Sequence, residues 1–261
     1  MGDNRKSGEP TQERELGGTR QFVPLALDSI ETSIANCFEH QARRHPDRLA
    51  VKTRGVSLTY DALNRAANRV ARAILADGRQ GEEPIALLFK PGASLIVASL
   101  AVLKAGKSFV PLDYSLPPAK IGQILKDFEP RLILTDGVNW PLARQLAGAF
   151  ASVLNIDNPN AQLADGDLAL PIAPDSIAYI HYTSGSTGEP KGVVANHRSE
   201  IHNIVTNTQG LRIGADDRIS LVRANNVGAT RDTWLALFNG ACLFPLDLKD
   251  GLADLADWLR A

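Results

Sequence analysis

The sequence contains little cysteine, and this scarcity excludes two classes of protein. Its two cysteines, Cys37 and Cys242, are the only ones among 261 residues. Two thiols are too few for a disulfide framework or for a zinc site built from cysteine ligands. We therefore expect a reduced, cytoplasmic setting.

An excess of one charge and a long hydrophobic run are also lacking. The 28 lysine and arginine residues nearly balance the 29 aspartate and glutamate residues, so the formal net charge is −1. That balance provides no overall field for nucleic acid or for an anionic membrane, and we expect neither as a partner. The longest apolar stretch, residues 95–103, is roughly half of the ~20 residues that a membrane-spanning helix needs.

The remaining composition is that of a folded protein with a polar N-terminus. Hydrophobic residues make up 44% of the chain and charged residues 22%, which excludes disorder of the whole chain. In residues 1–20, Leu16 is the single branched or aromatic hydrophobe. These residues predict a mobile tail and no signal peptide.

Beyond the tail, short apolar runs alternate with amphipathic stretches. The run at 85–89 is typical of a strand buried on both faces, and the helical stretch that follows it stops at Gly106. This alternation predicts an α/β fold in which βαβ units surround mainly parallel sheets. The other predicted strands are 49–52, 56–59, 108–112, 131–135, 152–156, 177–182, 192–195, 218–222 and 242–244. The predicted helices begin at 30, 60, 93, 198 and 252, or span 117–127, 139–146 and about 233–238.

Residues 157–175 interrupt this alternation with proline, asparagine, aspartate and glycine. They predict a seam between a first lobe at 21–160 and a second, incomplete lobe at 161–261.

The loop at 183–192 has the composition of an anion-binding site. Four hydroxyl side chains, three glycines and one lysine lie within these ten residues. Glycines let backbone amides turn toward one point, hydroxyls donate, and lysine adds a positive charge, so the loop is suited to a polyphosphate. A solvent-exposed turn of small polar residues is the alternative that composition alone leaves open.

Three better-known motifs for phosphate binding or catalysis do not fit this sequence. The triphosphatase pattern G-x4-G-K-[ST] places its second glycine at Pro190 and requires serine or threonine at Gly192. No G-x-G-x-x-G opens a helix after an early strand, which excludes a dinucleotide fingerprint. Ser184 lacks the G-x-S-x-G context of a hydrolase nucleophile.

The full string YTSGSTGEPKGV at 182–193 resembles the phosphate-binding loop of the adenylate-forming superfamily. LTYDAL at 58–63 resembles the superfamily's first core motif, with Asp61 one residue before the usual glutamate position. LKAGKSFVPLD at 103–113 resembles the second motif and favours the nonribosomal peptide synthetase branch. We interpret these two segments as scaffold. The resemblance runs from about Ile30 to the end of the chain.

The resemblance implies a two-step reaction that uses ATP and Mg²⁺. A carboxylic acid substrate would form an acyl-adenylate, and a phosphopantetheine thiol on a carrier domain would then take the acyl group as a thioester. Lys191 and Thr183 would be catalytic. The residues implied to bind the nucleotide phosphates are Thr183, Ser184, Gly185, Ser186, Thr187, Gly188 and Lys191. No metal ligand is assigned, and His197 is expected to cap the helix that follows it.

The implied substrate pocket departs from the amino-acid-activating relatives. Those relatives carry F-D-x-S before a helix that ends in L-L-x-G-A, and LFNGA at 237–241 sets the register here. Val227 then replaces the aspartate that pairs with the substrate's ammonium group, and Gly228 and Arg231 line the pocket. We therefore expect an acid without an α-amino group, such as a 2-keto, 2-hydroxy, aryl or aliphatic acid. The alternative is a shifted register in which Asp232 or Asp216 takes that role.

Several segments of the superfamily pattern are not found. We find no Y-G-P-T-E-like segment, no T-G-D segment and no lid lysine, so the sequence resembles the N-terminal half of the large subdomain of an adenylate-forming enzyme. A fragment of this kind is expected to be inactive alone. An acyl-CoA ligase fragment and a catalytically dead docking module are the alternatives.

Overall fold

The computed structural model describes residues 31–76, 81–157, 162–184, 190–222 and 227–247. The predicted tail at 1–20, the predicted helix from 252, and Gly185, Ser186, Thr187 and Gly188 of the loop lie outside the described residues.

Helices and strands alternate along most of the described chain. The helices are α1 (Ile34–Arg44), α2 (Tyr60–Ala76), α3 (Ala93–Lys104), α4 (Pro118–Phe128), α5 (Trp140–Ala147), α6 (His197–Leu211) and α7 (Val227–Phe238). The strands are β1 (Leu49–Lys52), β2 (Ser57–Thr59), β3 (Pro84–Phe89), β4 (Ser108–Asp113), β5 (Leu132–Thr135), β6 (Ser152–Asn155), β7 (Ile177–Ser184), β8 (Pro190–Asn196), β9 (Arg218–Leu221) and β10 (Cys242–Pro245).

These strands form two sheets. The six-stranded sheet has the order β6-β5-β3-β4-β7-β8 and is parallel except for the β7–β8 pair. The four-stranded sheet has the order β2-β1-β10-β9, in which β2 alone runs antiparallel to its neighbour. The predicted α/β fold with mainly parallel sheets is confirmed.

The boundary between the sheets differs from the predicted boundary between lobes. β1 and β2 pair in one sheet with β9 and β10, and β3 to β6 share the other sheet with β7 and β8. Each sheet therefore takes strands from both sides of residue 160. Parallel pairing joins segments that are distant in sequence, and the local signals at 157–175 carry no information about such pairs.

Alternation along β3 shows how the layers are arranged. Leu87 and Phe89 belong to the large core, which also includes α3, α7 and residues of the four-stranded sheet. Ala86 and Leu88 point the other way, into a second core formed with α4 and α5. Because successive strand residues face opposite sides, the six-stranded sheet has one apolar core on each face.

The two scaffold segments lie in the interior. Tyr60 is fully buried, and its hydroxyl donates to the Ala241 carbonyl oxygen over 2.8 Å. Lys104 is also buried and forms an ion pair with Glu39, and its Nζ lies 3.7 Å from Oδ1 of Asp167. These contacts tie α2 and α3 to the rest of the core, so the geometry agrees with a structural role.

No helix in the described ranges is both long enough and apolar enough to span a membrane.

Candidate functional site

The hairpin of β7 and β8 brings the two ends of the predicted phosphate loop together. Thr183 lies directly opposite Lys191, and Ser184 lies opposite Pro190. The Thr183 hydroxyl oxygen is 3.5 Å from the Lys191 carbonyl oxygen, and both residues are exposed. Side chains at opposite positions of an antiparallel pair share one face of the sheet. The side chains of Thr183 and Lys191 therefore lie on the same face of the hairpin, next to the loop that joins its strands.

Close packing within the same hairpin explains why position 192 is a glycine. It lies opposite Tyr182, and a Cβ at this position would come within 3.1 Å of Cγ2 of Ile180 and 3.6 Å of Cζ of Tyr182. Tyr182 also donates a hydrogen bond to Asp127 at the end of α4. A larger residue at 192 would therefore require the side chain of Ile180, in the strand that leads into the loop, to move.

His181 connects the loop strand to α7. Its Nε2 lies 2.9 Å from the hydroxyl oxygen of Thr230, one turn into the helix that carries the predicted pocket residues. The ring is buried, and burial lowers the pKa of His181 to about 4. The imidazole is therefore neutral at pH 7 and acts as a polar link between the strand and the helix.

The predicted pocket residues lie in the first two turns of α7. Val227 and Gly228 open the helix half-buried, and Arg231 follows one turn later. The helix thus begins six residues before the predicted start at Thr233. It contains β-branched residues and a glycine, which lower helix propensity, and packing against the core overrides that preference.

α7 ends at Phe238, and the glycine two residues further on has a left-handed backbone conformation. Gly240 has φ +73°, and a Cβ there would lie 3.2 Å from the Cβ of Ala215. Asp216 and Asp232 are the two alternatives for the carboxylate that position 227 lacks. Asp216 comes before strand β9, whereas helix α7 comes after that strand. The Asp216 carboxylate forms an ion pair with Arg48 over 2.7 Å on the surface. Asp216 therefore lies at the opposite end of β9 from the start of α7. Asp232 lies within α7, half-buried.

Arg231 faces a buried carboxylate. Its Nε lies 4.0 Å from Oε1 of Glu200, whose side chain is 1% exposed while that of Arg231 is 36% exposed. The Tyr179 hydroxyl donates to the other carboxylate oxygen over 2.6 Å. Burial raises the pKa of Glu200, and the bond from Tyr179 and the charge of Arg231 act in the opposite direction. Among the described atoms, Oε1 of Glu200 and Nε of Arg231 have no hydrogen-bond partner.

His197 does not have the role expected for it. The residue that caps α6 is Asn196, whose side chain accepts from the backbone N–H of Ser199 over 2.7 Å. His197 is the first residue of the helix, and its Nδ1 accepts from the backbone N–H of Ile34 over 3.1 Å. Burial lowers its pKa to about 4. The capping prediction is therefore wrong. The His197 side chain instead links α6 to the start of α1 by a hydrogen bond.

Sequence analysis missed Glu200, Tyr179, His181 and Thr230. A signal for Glu200 exists, because it shares helical spacing with Ile204 and Thr208 and therefore lies on the buried face of α6. His181 alternates with Tyr179 along a strand buried on that face, which also indicated burial. Within the described ranges, no group of three or more histidine, cysteine, aspartate or glutamate side chains is placed to hold a metal ion.

Comparison with known proteins gives matches over most of the chain. A family model described as AMP-binding enzyme matches residues 38–261. Surfactin synthase subunit 2 of Bacillus subtilis (strain 168) is 39% identical over 223 residues, which is 85% of this chain and 6% of that protein. Among the first three curated relatives, this chain spans 6 to 21% of their length.

Two solved structures have the same fold. The α-methyl-L-serine-AMP bound form of the nonribosomal peptide synthetase FmoA3 (S1046A) has a TM-score of 0.80 and 26% identity, with 88% of this chain and 26% of that one covered. The Klebsiella oxytoca NpsA N-terminal subdomain in complex with 3-hydroxybenzoyl-AMSN has a TM-score of 0.73 and 26% identity, with coverage of 88% and 57%.

Proposed function

The chain belongs to the family of AMP-binding enzymes, and we propose that it supplies the ATP-phosphate site of a ligase that activates a carboxylic acid. It has the fold of nonribosomal peptide synthetase adenylation domains. The observation that carries the proposal is the pairing of Thr183 with Lys191 at the loop end of the β7–β8 hairpin.

In the proposed first step, a carboxylate oxygen of the substrate attacks the α-phosphorus of ATP. The bond from that phosphorus to the oxygen bridging the α- and β-phosphates breaks, and pyrophosphate leaves with its electron pair. Negative charge grows on the leaving group, so donors fixed near the phosphates lower the barrier. The Lys191 ammonium and the Thr183 hydroxyl supply such donors at the base of the loop. Ser184, Gly185, Ser186, Thr187 and Gly188 would complete the phosphate site.

Mg²⁺, when bound, neutralises part of the phosphate charge. Among the described residues, no group of three or more histidine, cysteine, aspartate or glutamate side chains is placed to hold a metal ion, and no ligand for Mg²⁺ is assigned.

The proposed acid lacks an α-amino group. An ammonium group buried beside Val227 would have no counter-charge there, and an uncompensated buried charge costs several kcal/mol. Arg231 supports the same conclusion, because a cation on the next turn repels an ammonium group and attracts a carbonyl or a second anionic group. The buried carboxylate of Glu200 lies 4.0 Å from Nε of Arg231 and attracts that guanidinium group.

The proposed second step transfers the acyl group to a phosphopantetheine thiol on a carrier domain. The thiol sulfur attacks the acyl carbon, the bond to AMP breaks, and a thioester forms. Support for this acceptor is limited to the similarity to peptide synthetases such as surfactin synthase subunit 2.

Acid-dependent exchange of labelled pyrophosphate into ATP tests the proposed function, with the full-length product of the gene as enzyme. We expect exchange with an aryl, 2-keto, 2-hydroxy or aliphatic acid. Folded protein that binds ATP and exchanges with none of these acids, nor with amino acids, would instead indicate a docking module.

A further inference from the structure

One face of β7 carries both a predicted phosphate residue and a contact with α7. His181 and Thr183 lie two positions apart on this strand, so their side chains share one face of it. Lys191 lies opposite Thr183 in the hairpin and belongs to the same face. Helix α7 contacts this face as well, because Nε2 of His181 lies 2.9 Å from the hydroxyl oxygen of Thr230. The predicted phosphate residues and α7 are therefore on the same side of the hairpin.

Thr230 lies beside the proposed acid-pocket residues on the surface of α7. Val227 precedes it by three residues, and Arg231 follows it directly. Residues three and four apart are neighbours on a helix, so Val227, Thr230 and Arg231 form one continuous patch that spans about 100° of the helix circumference. The hydrogen bond between His181 and Thr230 therefore joins the strand that leads into the phosphate loop to the edge of this patch.

Packing confines the imidazole of His181. The ring is buried and meets the ring of Tyr179 edge-on, with 5.1 Å between the two centroids. Tyr179 is held in turn, because its hydroxyl donates to Glu200 over 2.6 Å and its ring lies against Phe109. A threonine hydroxyl both donates and accepts, so either neutral tautomer of the imidazole forms the bond. A confined ring of this kind keeps its hydrogen-bond partner at a defined distance from the strand.

We propose, on the basis of the proposed function, that His181 is a positioning residue for acid activation. Its hydrogen bond to Thr230 sets the distance between the acid held on α7 and the phosphates held beside Thr183. The first step brings a carboxylate oxygen to the α-phosphorus, and a misplacement of about 1 Å can cost about 10²-fold in rate. His181 acts through Thr230, so loss of the bond should slow the reaction and leave the binding of each reactant nearly unchanged.

Exchange of labelled pyrophosphate into ATP by the full-length product of the gene tests this role. The acid is the one that gives the fastest exchange in the wild type among benzoate, pyruvate, lactate, hexanoate and the standard amino acids. His181→Leu removes the hydrogen bond and keeps a buried side chain of moderate size. We expect kcat to fall about tenfold or more, with the KM values for ATP and for the acid within about twofold of wild type.

Substitutions at both ends of the bond separate positioning from packing. Thr230→Val removes the hydroxyl at nearly constant shape and should lower kcat as His181→Leu does, and the double variant should lose no more than either one. His181→Gln and Thr230→Ser keep a hydrogen-bonding group and should retain most of the wild-type rate. Thr233→Val is the matched control and should leave kcat unchanged, because the Thr233 hydroxyl donates to the Ala229 carbonyl oxygen within α7 over 2.9 Å.

Three results would overturn the positioning role while the proposed function stands. These are an active wild type with the same kcat in folded His181→Leu, equal losses in Thr230→Val and Thr233→Val, and raised KM values at an unchanged kcat. A wild type without exchange would overturn the proposed function, and the positioning role with it. Thermal unfolding shows which variants are folded, and Thr230→Val against Thr233→Val decides the matter if His181→Leu does not fold.

Discussion

Arg231 and Glu200 face each other across the interface of α6 and α7, with 4.0 Å between Nε and Oε1. Tyr179 of β7 donates to the same carboxylate. The buried carboxylate of Glu200 therefore contacts both β7 and α7. Strand β7 leads into the predicted phosphate loop, and helix α7 carries the predicted acid-pocket residues.

Removing both charges should cost less than the sum of removing each one alone. We expect Arg231→Leu to lower the free energy of unfolding by about 1–2 kcal/mol, because it leaves a buried carboxylate without its cation, and the partial exposure of Arg231 limits the loss. Glu200→Leu combined with Arg231→Leu should lose less than the sum of the single changes. Urea unfolding of the 261-residue chain measures the cycle, and strict additivity would show that the two groups do not interact.

Substitution of Lys104 is expected to lower the free energy of unfolding strongly. Its buried ammonium lies between Glu39 and Asp167, so Lys104→Ala removes the buried cation of this cluster and leaves only the exposed Arg43 beside the two carboxylates. A loss of about 3–5 kcal/mol in the free energy of unfolding is expected. Arg43→Ala is the matched control, because Arg43 pairs with the same Asp167 but its side chain is 60% exposed. Equal losses in the two variants would contradict the importance assigned to burial.

The buried histidines predict loss of stability in acid. Burial lowers the pKa of His181 to about 4, whereas the unfolded chain titrates near 6.5. Between these values the unfolded state binds more protons, so stability falls as the pH drops from 6.5 toward 4, by up to about 1.4 kcal/mol per pH unit for this residue. His197 contributes in the same direction.

His181→Gln should remove the contribution of His181 to the change of unfolding free energy with pH. Urea unfolding between pH 4.5 and 6.5 measures that change. His202→Gln, on the exposed side of α6, is the control and should leave the slope as it is. If His181→Gln leaves the pH dependence of the unfolding free energy unchanged, folding does not lower the pKa of His181, and the prediction is contradicted.

Local signals in the sequence predict much of the fold. The segment from β3 through α3 to β4 follows from an apolar run, a helical stretch and Gly106, whose φ of +68° suits a residue that ends a helix. The same signals predict the strands at 177–182 and 192–195 that flank the loop. The antiparallel pairing that sets Thr183 opposite Lys191 is a finding of the structure.

Long-range contacts could not be predicted in this way. The parallel pairing of Val51 with Leu243 joins the two ends of the described chain, and neither strand contains a signal for its partner. Glu200 was missed for a related reason: a glutamate in a first helical turn usually faces solvent near the positive end of the helix dipole. Its burial depends on Tyr179 and Arg231, which lie on other elements.

The absence of a carboxylate at position 227 makes a specific prediction for substrate choice. In the full-length product of the gene, Val227→Asp should increase pyrophosphate exchange with an α-amino acid, relative to the 2-hydroxy acid of the same side chain, by about tenfold or more. The reason is that the new carboxylate compensates the buried ammonium group, and tenfold corresponds to about 1.4 kcal/mol. Val227→Asn, similar in shape and uncharged, is the control. A wild-type enzyme that already prefers the amino acid would contradict the assignment of Val227.

The central claim is that the β7–β8 hairpin holds the phosphates of ATP during acid activation. The most direct measurement is acid-dependent ATP–pyrophosphate exchange by the full-length product of the gene, compared between wild type, Lys191→Ala and Lys120→Ala, the last removing an exposed lysine of α4. We predict active wild type, a rate about 10²–10³-fold lower for Lys191→Ala with its fold intact, and no change for Lys120→Ala. An unchanged exchange rate in Lys191→Ala would contradict the claim.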